Sequence, residues 1–312
     1  MATIPKSKRP SSRVARRLMA AVLLGSMLPA IANAACLGMQ VQAHRGSATA
    51  AENSLSALRA GYQGGWDGIE TDMQQLADGV WVVHHDAITG RVVQTAANLS
   101  THQLNSADWR AARMKNNGQS GNERPPFVSD LLTLADSFPG KTLNAEIKDA
   151  LPNCGPVQAL VAQFRRDMQH GNWFMTSGLP ANLRCARAVD RDAYLGLIVF
   201  DGRNAEALGS NRVTRMIAAK ARAPKLDQAW LLRLQKDIGM PVGVHVDGRT
   251  LDANPMLLSD AGMMKMAVFV YSVDGDASLV AAVRRAHQHS GRWPSGVVVD
   301  GNADQFCRDV AR

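Results

Sequence analysis

The feature that most constrains this chain is a repeated switch between short, nearly continuous apolar runs and amphipathic helical stretches. Candidate strands fall at 39–43, 68–73, 80–84, 142–147, 173–176, 195–200, 242–246, 266–273 and 296–299. Many are apolar almost throughout and end on a polar residue, as expected of strands covered on both faces. Helical periodicity falls at 54–63, 130–137, 156–170, 204–221, 228–238, 254–261 and 277–289. In the first of these, Asn53 or Ser54 is the cap, and Leu55, Leu58 and Tyr62 form the apolar stripe. Alternation of this kind builds parallel βα units. With no strong linker, internal repeat or low-complexity tract, it predicts an α/β fold, a single-domain (β/α)8 TIM barrel. Nine candidate strands for eight staves imply that 173–176 or 242–246 is short or irregular. The polar stretch 100–129, with Asn116-Asn117-Gly118 and Pro125-Pro126, reads as loop and is too short for an inserted domain.

The amino terminus belongs to no βα unit. Lys6, Lys8, Arg9, Arg13, Arg16 and Arg17 precede an apolar run, Leu18 to Ile31, and the small-x-small triplet Ala32-Asn33-Ala34. That order predicts a cleaved secretory signal peptide at 1–34, a barrel at 35–312, and a periplasmic or secreted protein. The leader also explains the charge. The 35 Lys and Arg exceed the 27 Asp and Glu by eight, and six of those basic residues leave with the leader. A surplus of two gives no electrostatic case for nucleic acid as a partner, and 5% aromatics is thin for base stacking. No apolar run reaches the ~18 residues that span a bilayer, so stable membrane insertion after cleavage is not expected. Four cysteines in an exported chain suggest two disulfides with three possible connectivities. Cys36–Cys307, joining the ends, and Cys154–Cys185, closing a local loop, are the expected pairs. None has CxxC spacing, which argues against a zinc or thioredoxin-like site.

Polar residues gather where the strands end. His44-Arg45-Gly46 ends the first, Glu70-Thr71-Asp72 the second, His84-His85-Asp86 the third and Glu146-Ile147-Lys148 the fourth. In a βα barrel these ends share one rim, where active sites are built. Side chains alternate along a strand, so Glu70 and Asp72 share one side, as do Glu146 and Lys148. Three carboxylates converging there repel one another unless a cation or proton joins them. Ca²⁺ or Mg²⁺, hard and oxygen-seeking, is the natural ion, and Zn²⁺ would want a closed His/Cys set. Two histidines beside such an ion can accept and donate protons, while Arg45 and Lys148 suit an anionic substrate. The combination describes cleavage of a phosphodiester.

The same residues resemble the glycerophosphodiester phosphodiesterase family. Its members read HRG, PENT, E-x-D, VV-x-HD and E-x-K in that order. This chain reads His44-Arg45-Gly46, Ala51-Glu52-Asn53-Ser54, Glu70-Thr71-Asp72, Val82-Val83-His84-His85-Asp86 and Glu146-Ile147-Lys148. Further on, Val270-Tyr271-Ser272-Val273-Asp274 resembles the family's V-W-T-V-N strand, and Gly296 to Asp300 its final G-I-I-T-D strand. Any one tripeptide is weak; five motifs in order make a strong signal, over roughly 40–305. The resemblance implies a βα barrel that releases an alcohol and glycerol 3-phosphate from a small-molecule glycerophosphodiester. It implies Glu70, Asp72 and Glu146 as metal ligands, with Ca²⁺ or Mg²⁺ as cofactor, and His44 and His85 as the catalytic pair. His85 is selected over His84 because it directly precedes Asp86. Arg45, Lys148 and Tyr271 are the implied substrate-binding residues. His85 is assigned as leaving-group acid and His44 as base, although spacing alone is compatible with either orientation. The attacking oxygen belongs to water or to a neighbouring glycerol hydroxyl that closes a cyclic phosphate.

Departures are local. Ala51 replaces a proline, Tyr271 a tryptophan and Asp274 an asparagine, the last two where the rest of the substrate would sit. Blander roles stand beside the sharper ones. Arg45 also suits a salt bridge to Glu52, His84 is expected to face the helix layer, His245 in its apolar run is open to a place at the mouth but favours a structural role, and His102, His170, His287 and His289 read as surface residues. Two other functions fit the same fold: a sphingomyelinase D-like phospholipase, and a non-catalytic barrel that binds phosphate esters. There is no P-loop, GxGxxG or GxSxG to support nucleotide binding or serine hydrolysis. Head group, ion and oligomeric state stay open at this point.

Overall fold

Among the described residues of a computed structural model, 36–202 and 222–312, the chain forms twelve strands. They are β1 (Gln40–His44), β2 (Gly68–Gln75), β3 (Trp81–Val83), β4 (Val93–Gln94), β5 (Arg113–Asn116), β6 (Gln119–Ser120), β7 (Thr142–Ile147), β8 (Asn172–Ser177), β9 (Leu195–Val199), β10 (Val242–Asp247), β11 (Val268–Tyr271) and β12 (Gly296–Val299). The leader expected at 1–34 and the helix expected at 204–221 lie outside the described residues. Eight strands run parallel in the order β1-β12-β11-β10-β9-β8-β7-β2, and a β1–β2 pairing closes the ring. This is the expected (β/α)8 TIM barrel.

The α-helices of the described residues are α1 (Leu55–Gln63), α2 (Ser106–Ala111), α3 (Val128–Asp136), α4 (Gly155–Asp167), α5 (Pro180–Val189), α6 (Gln228–Ile238), α7 (Gly248–Ala253), α8 (Leu257–Met263), α9 (Asp276–Ser290) and α10 (Ala303–Ala311). Ser54 caps α1, its Oγ accepting from the Ala57 amide at 3.1 Å, and Asp227 and Asn302 cap α6 and α10 likewise. Outward strand residues such as Ile69, Leu143, Ile147, Val244 and Val297 are buried with Leu58, Leu131, Leu160 and Phe164 from the helices in one continuous core. Each large side chain buried there contributes about 1.5–3 kcal/mol. Both expected disulfides form. Cys36–Cys307 ties the segment before β1 to α10, and Cys154–Cys185 ties the start of α4 to α5. No helix among the described residues is long and apolar enough to cross a membrane.

Three local expectations are corrected. The surplus strand is neither 173–176 nor 242–246, both of which lie in regular six-residue staves. It is β3, which pairs antiparallel with Met73–Gln75 at the end of β2 and stays outside the ring. The stretch 100–129 is structured: α2, β5 and β6 fall within it, and β4-β5-β6 form a small sheet. Leu76, Val82, Val93, Leu104, Trp109 and Met114 give it a second core. Those apolar residues are too widely spaced, and the strands too short, to show a period. The helix expected at 254–261 starts later, as α8 at Leu257, and a separate short helix absent from the sequence-based reading, α7, precedes it and ends at Ala253.

The barrel interior has two halves. On one side, Asn144 Nδ2 donates to Gln42 Oε1 (2.9 Å) and Thr176 Oγ1 donates to Asn144 Oδ1 (3.1 Å). On the other, the rings of Phe174, Tyr194, His245 and Phe269 pack together, with His245 stacked on Phe269 at 4.7 Å between centroids. Gly196 makes room for that imidazole: a Cβ there would lie 2.4 Å from His245 Nε2. Burial pushes the His245 pKa down to about 3, so the ring is neutral when folded. The unfolded chain takes up that proton first, near pH 6.5, and the stability due to neutral His245 is lost as pH falls from there toward 3. His245→Phe should therefore remove a slope of up to about 1.4 kcal/mol per pH unit across that window. Urea unfolding of both proteins between pH 4 and 7.5 checks this; parallel curves would contradict it.

Candidate active site

Strand register sets the site. His44 of β1 lies beside Glu70 of β2, and Asp72 of β2 lies beside Glu146 of β7. Neighbours in a parallel ladder point the same way, here into the mouth of the barrel. Glu70, Asp72 and Glu146 each offer an oxygen within 4.8 Å of the others, and all three are buried. Burial and the neighbouring Asp72 charge push the Glu70 pKa up to about 8, and burial raises that of Glu146. Burial acts on Asp72 too, but the charges of Lys148, His85 and Arg45 outweigh it and hold this carboxyl well below the usual range. Lys148 Nζ lies 3.3 Å from Asp72 and 3.5 Å from Glu146. Arg45 Nε lies 3.3 Å from Asp72, and its backbone N–H donates to Glu70 at 3.2 Å.

A strained turn delivers these groups. Arg45 and Gly46 have φ of 55° and 86°, the left-handed region. Gly46 is required there, since a Cβ would lie 2.5 Å from the Ala57 carbonyl carbon at the start of α1. Asn53, also left-handed at φ 61°, donates to Asp72 Oδ2 (2.8 Å) and accepts from Thr71 Oγ1 (2.7 Å). The segment 51–54 thus orients a carboxylate as well as starting a helix.

Each histidine has a carboxylate behind it. His44 Nδ1 lies 2.5 Å from Asp300 Oδ1, and His85 Nδ1 lies 3.0 Å from Asp86 Oδ1. Burial disfavours the charged imidazole of His44, but the Asp300 hydrogen bond and the Glu70 charge win, and its pKa is raised. All eight residues singled out from the sequence, His44, Arg45, Glu70, Asp72, His85, Glu146, Lys148 and Tyr271, line one cavity of about 700 Å³. Arg45 also reaches Glu52 at 3.0 Å, so it has the structural partner expected of it. His84 points elsewhere, buried edge-on to Trp109 with its pKa lowered by burial to about 4. His245 lines the cavity as well as packing in the aromatic half. His102, read as a surface residue, reaches buried Asp149 at 3.1 Å. The sequence-based reading gives Asp300 no role. Its signal is its place just past β12, the strand that pairs with β1.

The model of the glycerophosphoryl diester phosphodiesterase family matches residues 44–300. The chain belongs to this family. Solved structures share its fold. A phosphodiesterase from Oleispira antarctica, in complex with the product sn-glycerol-3-phosphate, is 20% identical, with 88% of this chain and 97% of that one covered and a TM-score of 0.63. A glycerophosphodiester phosphodiesterase from Agrobacterium tumefaciens is 17% identical, covering 86% and 99% at a TM-score of 0.59. One from Thermotoga maritima is 19% identical, covering 86% and 97% at 0.57. The protein is a phosphodiesterase, and in this family member the Gly46 turn carries both His44 and Arg45. Gly46→Ala should destabilise the fold by at least ~1–3 kcal/mol from the left-handed backbone alone. Phosphodiesterase activity should fall with it. Wild-type unfolding in urea together with wild-type activity would contradict this.

Proposed function

We propose that this phosphodiesterase hydrolyses glycerophosphodiesters to an alcohol and glycerol 3-phosphate, with Ca²⁺ or Mg²⁺ held by Glu70, Asp72 and Glu146. The observation that carries the reading is the meeting of three buried carboxylates, two cations and two carboxylate-backed histidines in one cavity. The donor set fits such an ion. It is all oxygen, and burial with mutual repulsion raises the pKa of two of its members, so a divalent cation relieves a tension that Lys148 and Arg45 relieve only in part. When bound, the ion supplies Lewis-acid stabilisation of the phosphoryl oxygens.

The protein's own groups then divide the work. Arg45 and Lys148 give positive charge to the phosphate oxygens. Asp300 holds Nδ1 of His44, which leaves Nε2 to take the proton of the attacking oxygen. Asp86 holds Nδ1 of His85 in the same way, and His85 protonates the departing alkoxide as its P–O bond breaks. The attacker is water, or the glycerol hydroxyl through a cyclic phosphate. Ile198, Phe200, Tyr271, Val273 and Val298 line the same cavity and offer an apolar wall to the leaving alcohol. Two disulfides suit the oxidising compartment to which the expected leader would send the chain.

Release of glycerol 3-phosphate from diesters of choline, ethanolamine, glycerol and inositol tests the reading, with sphingomyelin as the lipid arm. EDTA should abolish turnover, and Ca²⁺ or Mg²⁺ should restore it. His44→Ala and His85→Ala should each lower kcat by about 10²–10⁴-fold. Turnover that survives EDTA, or near-wild-type rates in either histidine variant, would overturn the assignment. Binding of the diesters without turnover would favour the non-catalytic barrel.

A further inference from the structure

The proton-handling side of the cavity is braced by a residue outside its lining. Arg91 follows β3 on the loop that begins with His84 and His85, and its guanidinium meets two carboxylates at once. Nε and Nη2 donate to Asp86 at 2.8 and 2.7 Å, and Nη1 and Nη2 donate to Glu52 at 2.9 and 2.6 Å. Four of its five N–H groups are thereby committed, in a double fork that a lysine cannot reproduce. Both carboxylates continue into the site. Asp86 Oδ1 is also the atom 3.0 Å from His85 Nδ1, and Glu52 Oε1 is also the atom 3.0 Å from Arg45 Nη1. Arg45 in turn reaches Asp72.

Glu52 and Asp86 offer oxygens within 4.8 Å of each other and of a His85 ring nitrogen, close enough to share a cation. The cation that the two carboxylates share is the Arg91 guanidinium. Without it they would repel and turn apart, and the aim of His85 and Arg45 would go with them. The backbone near His85 is already fixed, because Gln74 Nε2 donates to the carbonyls of His84, His85 and Asp86, each at 3.0 Å. The imidazole still turns about its side-chain torsion, and the Asp86 hydrogen bond restrains that turn. The Arg91 side chain is about half exposed, 52%, so these ion pairs add little to stability and act mainly on geometry.

We infer that Arg91 is a positioning residue for leaving-group protonation: by joining Asp86 to Glu52 it aims the His85 imidazole and, through Glu52, the Arg45 guanidinium. This rests on the proposed role of His85 as acid. It differs from that proposal in concerning a residue that touches neither substrate nor ion.

The test compares the wild type with Arg91→Gln and Arg91→Lys on two substrates that release glycerol 3-phosphate. Glycerophosphocholine has an alkoxide leaving group that needs a proton, and the 4-nitrophenyl diester has one that does not. Arg91→Gln should lower kcat on glycerophosphocholine by about 10–100-fold, the usual effect of losing a group that orients a site residue. KM should change far less, and the loss on the nitrophenyl diester should be several-fold smaller. Arg91→Lys, keeping charge without the fork, should recover only part of kcat, and the thermal midpoints of all three proteins should agree within a few degrees. Equal losses on both substrates, a loss confined to KM, or unchanged kcat in Arg91→Gln would overturn the inference. If Arg91→Gln does not fold, the leaving-group contrast in Arg91→Lys decides, its absence overturning the inference. A wild type that releases no glycerol 3-phosphate from either substrate would sink the functional reading, and this inference with it. An active wild type with an indifferent Arg91 would sink this inference alone.

Discussion

Three carboxylates brought out of water within reach of one another are the constraint on which the rest of the mouth depends. Two unit charges 4.8 Å apart, the upper limit for these oxygens, repel by about 3–4 kcal/mol at the effective dielectric of a protein site. Burial adds a solvation penalty to each. The neighbouring residues answer this charge. Lys148 bridges Asp72 and Glu146, Arg45 stands against Asp72, and Asn53 donates to the same carboxylate. The relief is unequal, with Asp72 held ionised while burial and repulsion push Glu70 toward its protonated form. Such a set is poised for a multivalent cation.

Barrel geometry turns this local conflict into an organised site. Parallel register sets His44 beside Glu70 and Asp72 beside Glu146, and the β1–β2 pairing that closes the ring brings the first of these pairs together. The strained His44-Arg45-Gly46 turn persists because α1 packs so tightly against it that only glycine fits. Beneath the mouth, the Gln42-Asn144-Thr176 hydrogen bonds link β1, β7 and β8, on or next to the strands that carry the acids, and the aromatic ring cluster fills the opposite half. The floor is therefore polar near the charges and apolar away from them, which lowers the desolvation that the acids suffer.

Much of this was legible in the sequence, for physical reasons. Strands buried on both faces must be apolar, so all eight staves announced themselves, and the period of two placed Glu70 with Asp72 on one side. Of three possible cysteine connectivities, the expected one, joining the chain ends and closing a local loop, is the one that forms. What escaped depends on contacts distant in sequence or on short elements. β3 reads like a stave because Trp81, Val82 and Val83 are apolar, yet its partner is the overhanging end of β2. The small sheet around Trp109 has strands of two to four residues, too short to show alternation. Asp300 lies 256 residues from His44, and its role becomes visible only when β12 pairs with β1. Arg91 lies 39 residues from Glu52 in an unpatterned loop, and only the fold shows that it serves two carboxylates.

The central claim is that Glu70, Asp72 and Glu146 grip one divalent ion between them. Anomalous scattering from crystals grown with Mn²⁺, which shares the oxygen preference of Ca²⁺ and Mg²⁺, tests it most directly. The account predicts a single strong peak at about 2.0–2.6 Å from an oxygen of each of the three side chains, on the side facing His44 and His85. A crystal that binds no Mn²⁺ at these acids, or places it away from one of them, would contradict the account.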